Sequence, residues 1–222
     1  MKKTSNNKAV IFDLDGTLTD SVHAHYLKHE RIGKILGYDL TEKYFHESAN
    51  GMDAKDFFPA LLKHYGINLG KNLKKAIKLH HKLTDEEFFS HIKLFPHVKT
   101  ILKNLKKEGY KLALASSSPA DMVIPTLKQF DIEKYFDIIV NGDDVLHTKP
   151  NPAIFLLARK KLGIKKADCI VIEDAPKGVD AAKRANIKCI CLTTSNTIDE
   201  IPDYASICHS HKNLLEMIKS SF

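Results

Sequence analysis

Apolar residues fall along this chain in two rhythms. Ala9, Val10, Ile11 and Phe12 form an unbroken run that leads into Asp13 and Asp15, and such a run predicts a short strand buried on both faces of a parallel sheet. The same pattern returns at 111–115, 138–140, 169–172 and 188–192, with a weaker example at 205–208. Between these runs the apolar spacing becomes helical. Pro96 opens a helix carrying Val98, Ile101, Leu102 and Leu105, which Gly109 closes, and further helices are expected at 121–130, at 152–162 before Gly163, and at 177–185 before Asn186. Alternating helix and strand predicts an α/β fold, a doubly wound, largely parallel sheet with right-handed crossovers.

The first strand is separated from this series by about 75 residues that contain no convincing strand pattern. Helices are expected from a cap at Asp20 or Ser21 to about Lys34, with Gly37 just beyond, and then at 41–48, 54–65 and 73–92. The breaks fall at Asn50-Gly51 and at 66–70. The expected organisation is a core formed by 1–17 and 95–222, with a helical module, 18–94, inserted after the first strand.

Composition narrows the function classes. The 222 residues are 43% hydrophobic and 27% charged, ordinary for a globular chain with a substantial core. A net charge of +7 is spread through pairs such as Lys74-Lys75, Lys106-Lys107 and Lys165-Lys166, which suit solvated helix faces. Without an RNP, zinc-finger or arginine-rich signature, nucleic-acid binding is not expected, and a positive field suits anionic phosphate substrates. Cys169, Cys189, Cys191 and Cys208 lack CxxC spacing and are expected as buried thiols in a reducing compartment. The Met1-Lys2-Lys3 start is followed by too short an apolar run for a secretory leader, and no stretch suits a membrane span, so a cytoplasmic location with no membrane and no required protein partner is expected.

The chemistry lies at the strand ends. Asp13 and Asp15 sit at the carboxyl end of the first strand, where open α/β sheets place their ligands. Ile170-Val171-Ile172 delivers Glu173 and Asp174 in the same way. Four carboxylates at one sheet edge are costly without a cation, which implies a magnesium site.

Asp13-Leu14-Asp15-Gly16-Thr17 resembles the first motif of the haloacid dehalogenase superfamily of phosphotransferases, and three further motifs follow in order. Ser116, closing the run Ala113-Leu114-Ala115, matches the second. Lys149, in Lys149-Pro150-Asn151-Pro152 before a helix, resembles the third. Glu173-Asp174, followed by a helix rich in Gly and Ala from Gly178 to Ala185, is similar to the fourth, with Ala175 standing where many relatives have a hydroxyl. The resemblance implies that Asp13 is the nucleophile and Asp15 the acid/base, and that Ser116 and Lys149 hold the phosphoryl oxygens. It also implies Mg2+ bound by Asp13, the Asp15 backbone carbonyl and Asp174, with Glu173 direct or one shell out.

The inserted helices resemble the small cap of the subgroup that includes β-phosphoglucomutase and phosphoglycolate phosphatase. Ser117, His25, Asn50 and Gly51 are the implied substrate contacts, the last two in a cap loop that enters the site in relatives. Mutases of this subgroup carry Lys and Arg where this chain has Asn50 and Ala54, so the expectation is a magnesium-dependent phosphatase for a small phosphorylated metabolite of sugar-phosphate type. A phosphomutase is the nearest rival, and a catalytically idle phospho-ligand-binding protein the more distant one. His25 and His29 stand one helical turn apart, a spacing that can bind zinc, but with no further ligand in the pattern they are expected to face solvent or line the cap.

Overall fold

The structure is a computed structural model and describes residues 7–49 and 54–222. In chain order it contains β1 (Ala9–Phe12), β2 (Thr19–Asp20), α1 (Val22–Leu36), α2 (Glu42–Ala49), α3 (Ala54–His64), α4 (Leu69–Lys82), α5 (Glu86–Ser90) and β3 (Lys93–Leu94). It continues with α6 (Val98–Lys107), β4 (Lys111–Ala115), α7 (Ala120–Gln129), β5 (Ile138–Val140), α8 (Ala153–Leu162), β6 (Cys169–Glu173), α9 (Pro176–Ala185), β7 (Lys188–Leu192), β8 (Ser206–Cys208) and α10 (His211–Ser220).

Six strands form one parallel sheet in the order β5, β4, β1, β6, β7, β8. The chain leaves β1 towards β4 and leaves β6 towards β7, so the strand order reverses between β1 and β6, the place where such sheets open a ligand crevice. Phe12 lies level with both Leu114 and Ile172 in the register. Asp13 and Glu173 follow directly and Ser116 follows Leu114 by two positions, so the three strand ends bring Asp13, Ser116 and Glu173 to one edge.

Period-two alternation divides the core into two apolar layers. Val10, Phe12, Leu112, Leu114, Ile170 and Ile172 pack with residues of α6, α7 and α10, whereas Ala9, Ile11, Ala113, Ala115, Cys169 and Val171 pack with residues of α8 and α9. The four cysteines are free and buried. Helices α1 to α4 enclose a separate apolar cluster that includes Ile32, Phe45, Phe57, Phe58, Leu61 and Leu62. Among the described residues no helix is long and apolar enough to cross a membrane.

Three local features depart from the expectation. Thr19 pairs with Leu94 and Asp20 with Lys93 in a two-stranded antiparallel ribbon, placed where the chain enters and leaves the helical segment. A two-residue strand is too short to leave any periodicity. The helix expected at 73–92 begins earlier, at Leu69, and divides into α4 and α5. Asp85 terminates the continuity because its carboxylate accepts a 3.1 Å bond from Phe88 N and starts a new helix, a use of Asp that competes with helix propagation. Finally, α10 forms beyond the last element expected from the pattern; Ser210 caps it and Leu214 and Ile218 anchor it.

Asp85→Ala should remove the α5 cap and lower stability by about 0.5–2 kcal/mol. The half-exposed pair with Arg31, at 3.4 Å, adds little to that loss. Urea denaturation checks it, and an unchanged midpoint would mean that burial of Phe88 alone fixes α5.

Candidate active site

The site begins where β1 and β6 stop. Asp13 remains in the sheet frame, its N–H donating to Ile172 O at 2.9 Å. Asp13, Lys149, Glu173 and Asp174 are all buried. The Lys149 ammonium contacts Asp13 Oδ1 directly and lies 2.6 Å from Glu173 Oε1. Burial opposes its charge, but Asp13 and Glu173 outweigh burial and hold the ammonium above the usual lysine range. Burial pushes the Asp13 carboxyl well up, Lys149 opposes that rise, and Glu173 and Asp174 add to it. Asp174 is pushed up to about 7 by burial and by its neighbour Glu173.

Two glycines make room for this crowding. A Cβ on Gly178 would lie 1.9 Å from Glu173 Cδ, and one on Gly16 would lie 2.1 Å from Asp174 Oδ2. Gly16 also has φ +80°, a left-handed conformation that most residues adopt only at a cost. Asp174 Oδ1 accepts from Thr17 Oγ1 at 2.9 Å, and its other oxygen accepts from Ser195. Glu173 Oε2 accepts from Asp174 N and Ala175 N at 2.9 and 3.1 Å. That carboxylate thus serves the start of α9, where Ala175 has no side chain to cap it.

Asp13, Glu173 and Asp174 each offer an oxygen within 4.8 Å of the others. Three buried carboxylates face one ammonium, an imbalance that a hard divalent cation would offset, and an all-oxygen donor set suits that class of ion. The cluster could therefore hold a metal. The Asp15 carboxylate is not part of it; Asp15 Oδ1 accepts from Ser21 Oγ at 2.7 Å and lies 3.0 Å from His25 Nε2, while Oδ2 accepts from Ser118 Oγ at 2.7 Å. Burial works against its charge, but the field and hydrogen bond of His25 and the bonds from Ser21 and Ser118 outweigh it, keeping the carboxyl below the usual range.

Asp13, Asp15, His25, Ser116, Ser117, Lys149, Glu173 and Asp174 line one pocket. Ser116 Oγ donates to Asp15 Oδ2 over 3.4 Å and accepts from Ser118 N at 3.0 Å. Ser117 Oγ is buried without a partner, so a ligand can use it. Asn50 and Gly51 lie outside the described residues. The helix α1 histidines separate: His23 is exposed beside Glu42, while His25 and His29 line the pocket. Neither of the last two belongs to a cluster of metal-ligand type among the described residues.

Ser118, Ser21, Thr17 and Ser195 also contact the site carboxylates, and the sequence pattern does not single them out. Ser118 sits in a visible serine run, and Thr17 in the first motif. Ser21 reads in the sequence as a helix cap, yet its side chain makes no capping bond and turns to Asp15. Ser195 lies 21 residues from its partner Asp174 and leaves no local signal.

A family model described as haloacid dehalogenase-like hydrolase matches residues 10–192. The chain therefore belongs to the haloacid dehalogenase-like hydrolases, and it is an enzyme of their phosphatase type. It is 34% identical over 181 residues to a phosphorylated carbohydrates phosphatase of Thermotoga maritima, covering 82% of each chain. It is 29% identical to the phosphoglycolate phosphatase of Salmonella choleraesuis, covering 87% of this chain and 84% of that one. The crystal structure of β-phosphoglucomutase from Clostridium difficile superposes with a TM-score of 0.82 at 25% identity, covering 96% of both chains.

Gly178→Ala places a methyl group inside the Glu173 side chain, so either Glu173 must leave its seat against the start of α9 or α9 must shift from β6. A destabilisation of about 1–3 kcal/mol is expected, as for overpacking elsewhere. Wild-type stability in chemical denaturation would mean that Glu173 can leave its seat freely.

Proposed function

We propose that this protein is a magnesium-dependent phosphatase acting on a small phosphate monoester of sugar-phosphate type, with Asp13 as nucleophile. The observation that carries the reading is the pairing of Asp13, against Lys149, with Asp15, whose carboxylate is held apart from the metal-type cluster by Ser21, His25 and Ser118. Two carboxylates in one pocket with different surroundings suit two different roles.

In the first half-reaction an Asp13 oxygen bonds to phosphorus, the bond to the alcohol oxygen breaks, and Asp15 gives that oxygen a proton. In the second, Asp15 takes a proton from water, the water oxygen bonds to phosphorus, and the aspartyl phosphate breaks to inorganic phosphate. The hydrogen bonds now on Asp15 favour the carboxylate, the form that the second step needs, and the proton it takes from water there is the one it gives to the alcohol oxygen of the next substrate. Lys149, Ser116 and Ser117 hold the phosphoryl oxygens. Magnesium, when bound by Asp13, Asp174, the Asp15 carbonyl and, directly or one shell out, Glu173, supplies charge stabilisation for those oxygens. Segment 18–94 serves as a cap that excludes water and shapes the leaving-group end of the pocket.

The similarity to proteins named for phosphorylated carbohydrates and for phosphoglycolate supports a small phosphorylated metabolite. The rival is a mutase, which must return the phosphoryl group to its sugar before water takes it. Asn50 and Ala54, in place of the Lys and Arg of mutases, favour hydrolysis over transfer. A screen of phosphate monoesters with magnesium tests the reading. Release of inorganic phosphate is expected, with little conversion of β-glucose 1-phosphate to glucose 6-phosphate; efficient isomerisation primed by a trace of bisphosphate would overturn it.

Asp13→Asn should lower turnover by several orders of magnitude while the fold persists, since the nucleophile's charge is lost and its shape kept. Near-normal hydrolysis by that variant would exclude a covalent route through Asp13. Asp174→Asn should weaken the magnesium dependence of the rate and raise the melting temperature of the metal-free protein, because one of three crowded buried charges is gone. An unchanged magnesium titration would remove Asp174 from the metal site.

A further inference from the structure

Two lysines are buried among the described residues, Lys149 and Lys28, and the reaction uses only the first. Lys28 extends from α1 into the seam between the helical segment and the core. Its ammonium lies 3.2 Å from Met122 Sδ, 3.4 Å from both Thr84 Oγ1 and His80 Nε2, and 4.6 Å from the centre of the Phe88 ring. All of these neighbours are neutral. Burial pulls the amine down to about 7, and Asp15, Asp121 and Asp85 oppose that pull only through their fields.

The imidazole beside it is also incompletely used. Burial, with Lys28 and His29 nearby, keeps His80 well below the usual histidine range, so the ring is neutral. Since Lys28 donates to Nε2, the ring proton belongs on Nδ1, and Nδ1 is buried with no partner. His29, whose ring centre lies 5.2 Å from that of His80, donates from Nδ1 to His25 O at 2.7 Å. Both imidazoles line the same pocket as Asp13 and Asp15, together with Phe45 and Phe57.

We propose that Lys28 and His80 form a second anion subsite in this wall, one that receives a negatively charged group, a carboxylate or a second phosphate, carried on the alcohol part of the substrate. The proposal rests on the phosphatase reading and adds a substrate class to it. The ammonium meets only neutral acceptors and an aromatic face, with no carboxylate in contact, so its desolvation is repaid only in part, whereas an apolar side chain would fill the same seat without that cost. A substrate hydroxyl could accept from His80 Nδ1 but would leave the ammonium uncompensated. An anion at His80 takes the hydrogen bond and the field of Lys28 together, through a donor chain that the field polarises. The grip that mutases place in the cap loop would thus be replaced here by one from α1 and α4.

Matched pairs of probes test this: 2-phosphoglycolate against 2-hydroxyethyl phosphate for a carboxylate, and propane-1,3-diol bisphosphate against the monophosphate for a second phosphate. Affinities are read by calorimetric titration into the metal-free protein, and kcat/KM with magnesium. Wild type should prefer the more anionic member of at least one pair by about tenfold or more in affinity, the ratio that one charge-assisted hydrogen bond supplies. Which pair shows it identifies the group. The ratio should collapse towards one in Lys28→Met and, independently of how that variant folds, in His80→Leu. Equal binding of both members of both pairs by wild type, or a preference that persists in Lys28→Met, overturns the subsite. The titration needs no turnover, so absent hydrolysis by wild type would overturn the phosphatase reading while the affinity ratios still decide the subsite.

Discussion

Lys149 holds the centre of this protein together. Its ammonium is the counter-charge placed against Asp13 and Glu173, with Asp174 crowded beside them. Removing one partner from such a buried set leaves a charge with no water and no mate, a loss of about 3–5 kcal/mol in comparable pairs. The set is also unbalanced, three carboxylates to one ammonium, and burial together with the neighbouring carboxylates raises Asp13 and Asp174. A cation site and an unstable cluster are two descriptions of one arrangement. The apolar layers on either side of the sheet must supply the stability that the cluster withholds.

Strand register is what keeps the imbalance from relaxing. Because β1 lies between β4 and β6, with Phe12 level with Leu114 and Ile172, Asp13 cannot move away from Glu173 without breaking ladder bonds on both sides. A slip by one residue would exchange the two buried faces of β1, which pack against different helices. The same rigidity explains Gly178 and Gly16. Where neither the strand nor the carboxylate can yield, the facing residue must give up its Cβ.

Much of this was legible in the sequence because it depends on periodicity and on the strand ends. The runs at Ala9, Lys111, Ile138, Cys169 and Lys188 each became a strand of the sheet, and Asp13, Asp15, Ser116, Lys149, Glu173 and Asp174 met in one pocket. What was not legible depends on contacts across long stretches of chain or on elements too short to repeat. The Thr19–Asp20 and Lys93–Leu94 ribbon has no period. Ser195 reaches Asp174 only through the fold, and Ser21 reads as a cap until its hydroxyl is seen on Asp15. Lys28 and His80 lie 52 residues apart and on a helical pattern look like an ordinary solvated lysine and a surface histidine.

The seam between the helical segment and the core differs in kind from either interior. Each side has its own apolar cluster, while the seam itself is filled by a small one, Ala24, Phe88, Ile92 and Met122. Polar bridges border it: His81 Nδ1 to Asp121 Oδ2 at 2.8 Å, Lys177 Nζ to Ser48 O at 3.1 Å, and His25 to Asp15. The His81–Asp121 pair is about half exposed on both sides and so contributes little to holding the two parts together. Lys28 is buried against Met122 and Phe88 of this small cluster, so a small apolar contact also carries a charge that meets no opposite charge. Packing alone gives no reason for a charge at that point. The geometry of the pocket does, because the seam is where the two parts meet around whatever occupies the space above Asp13.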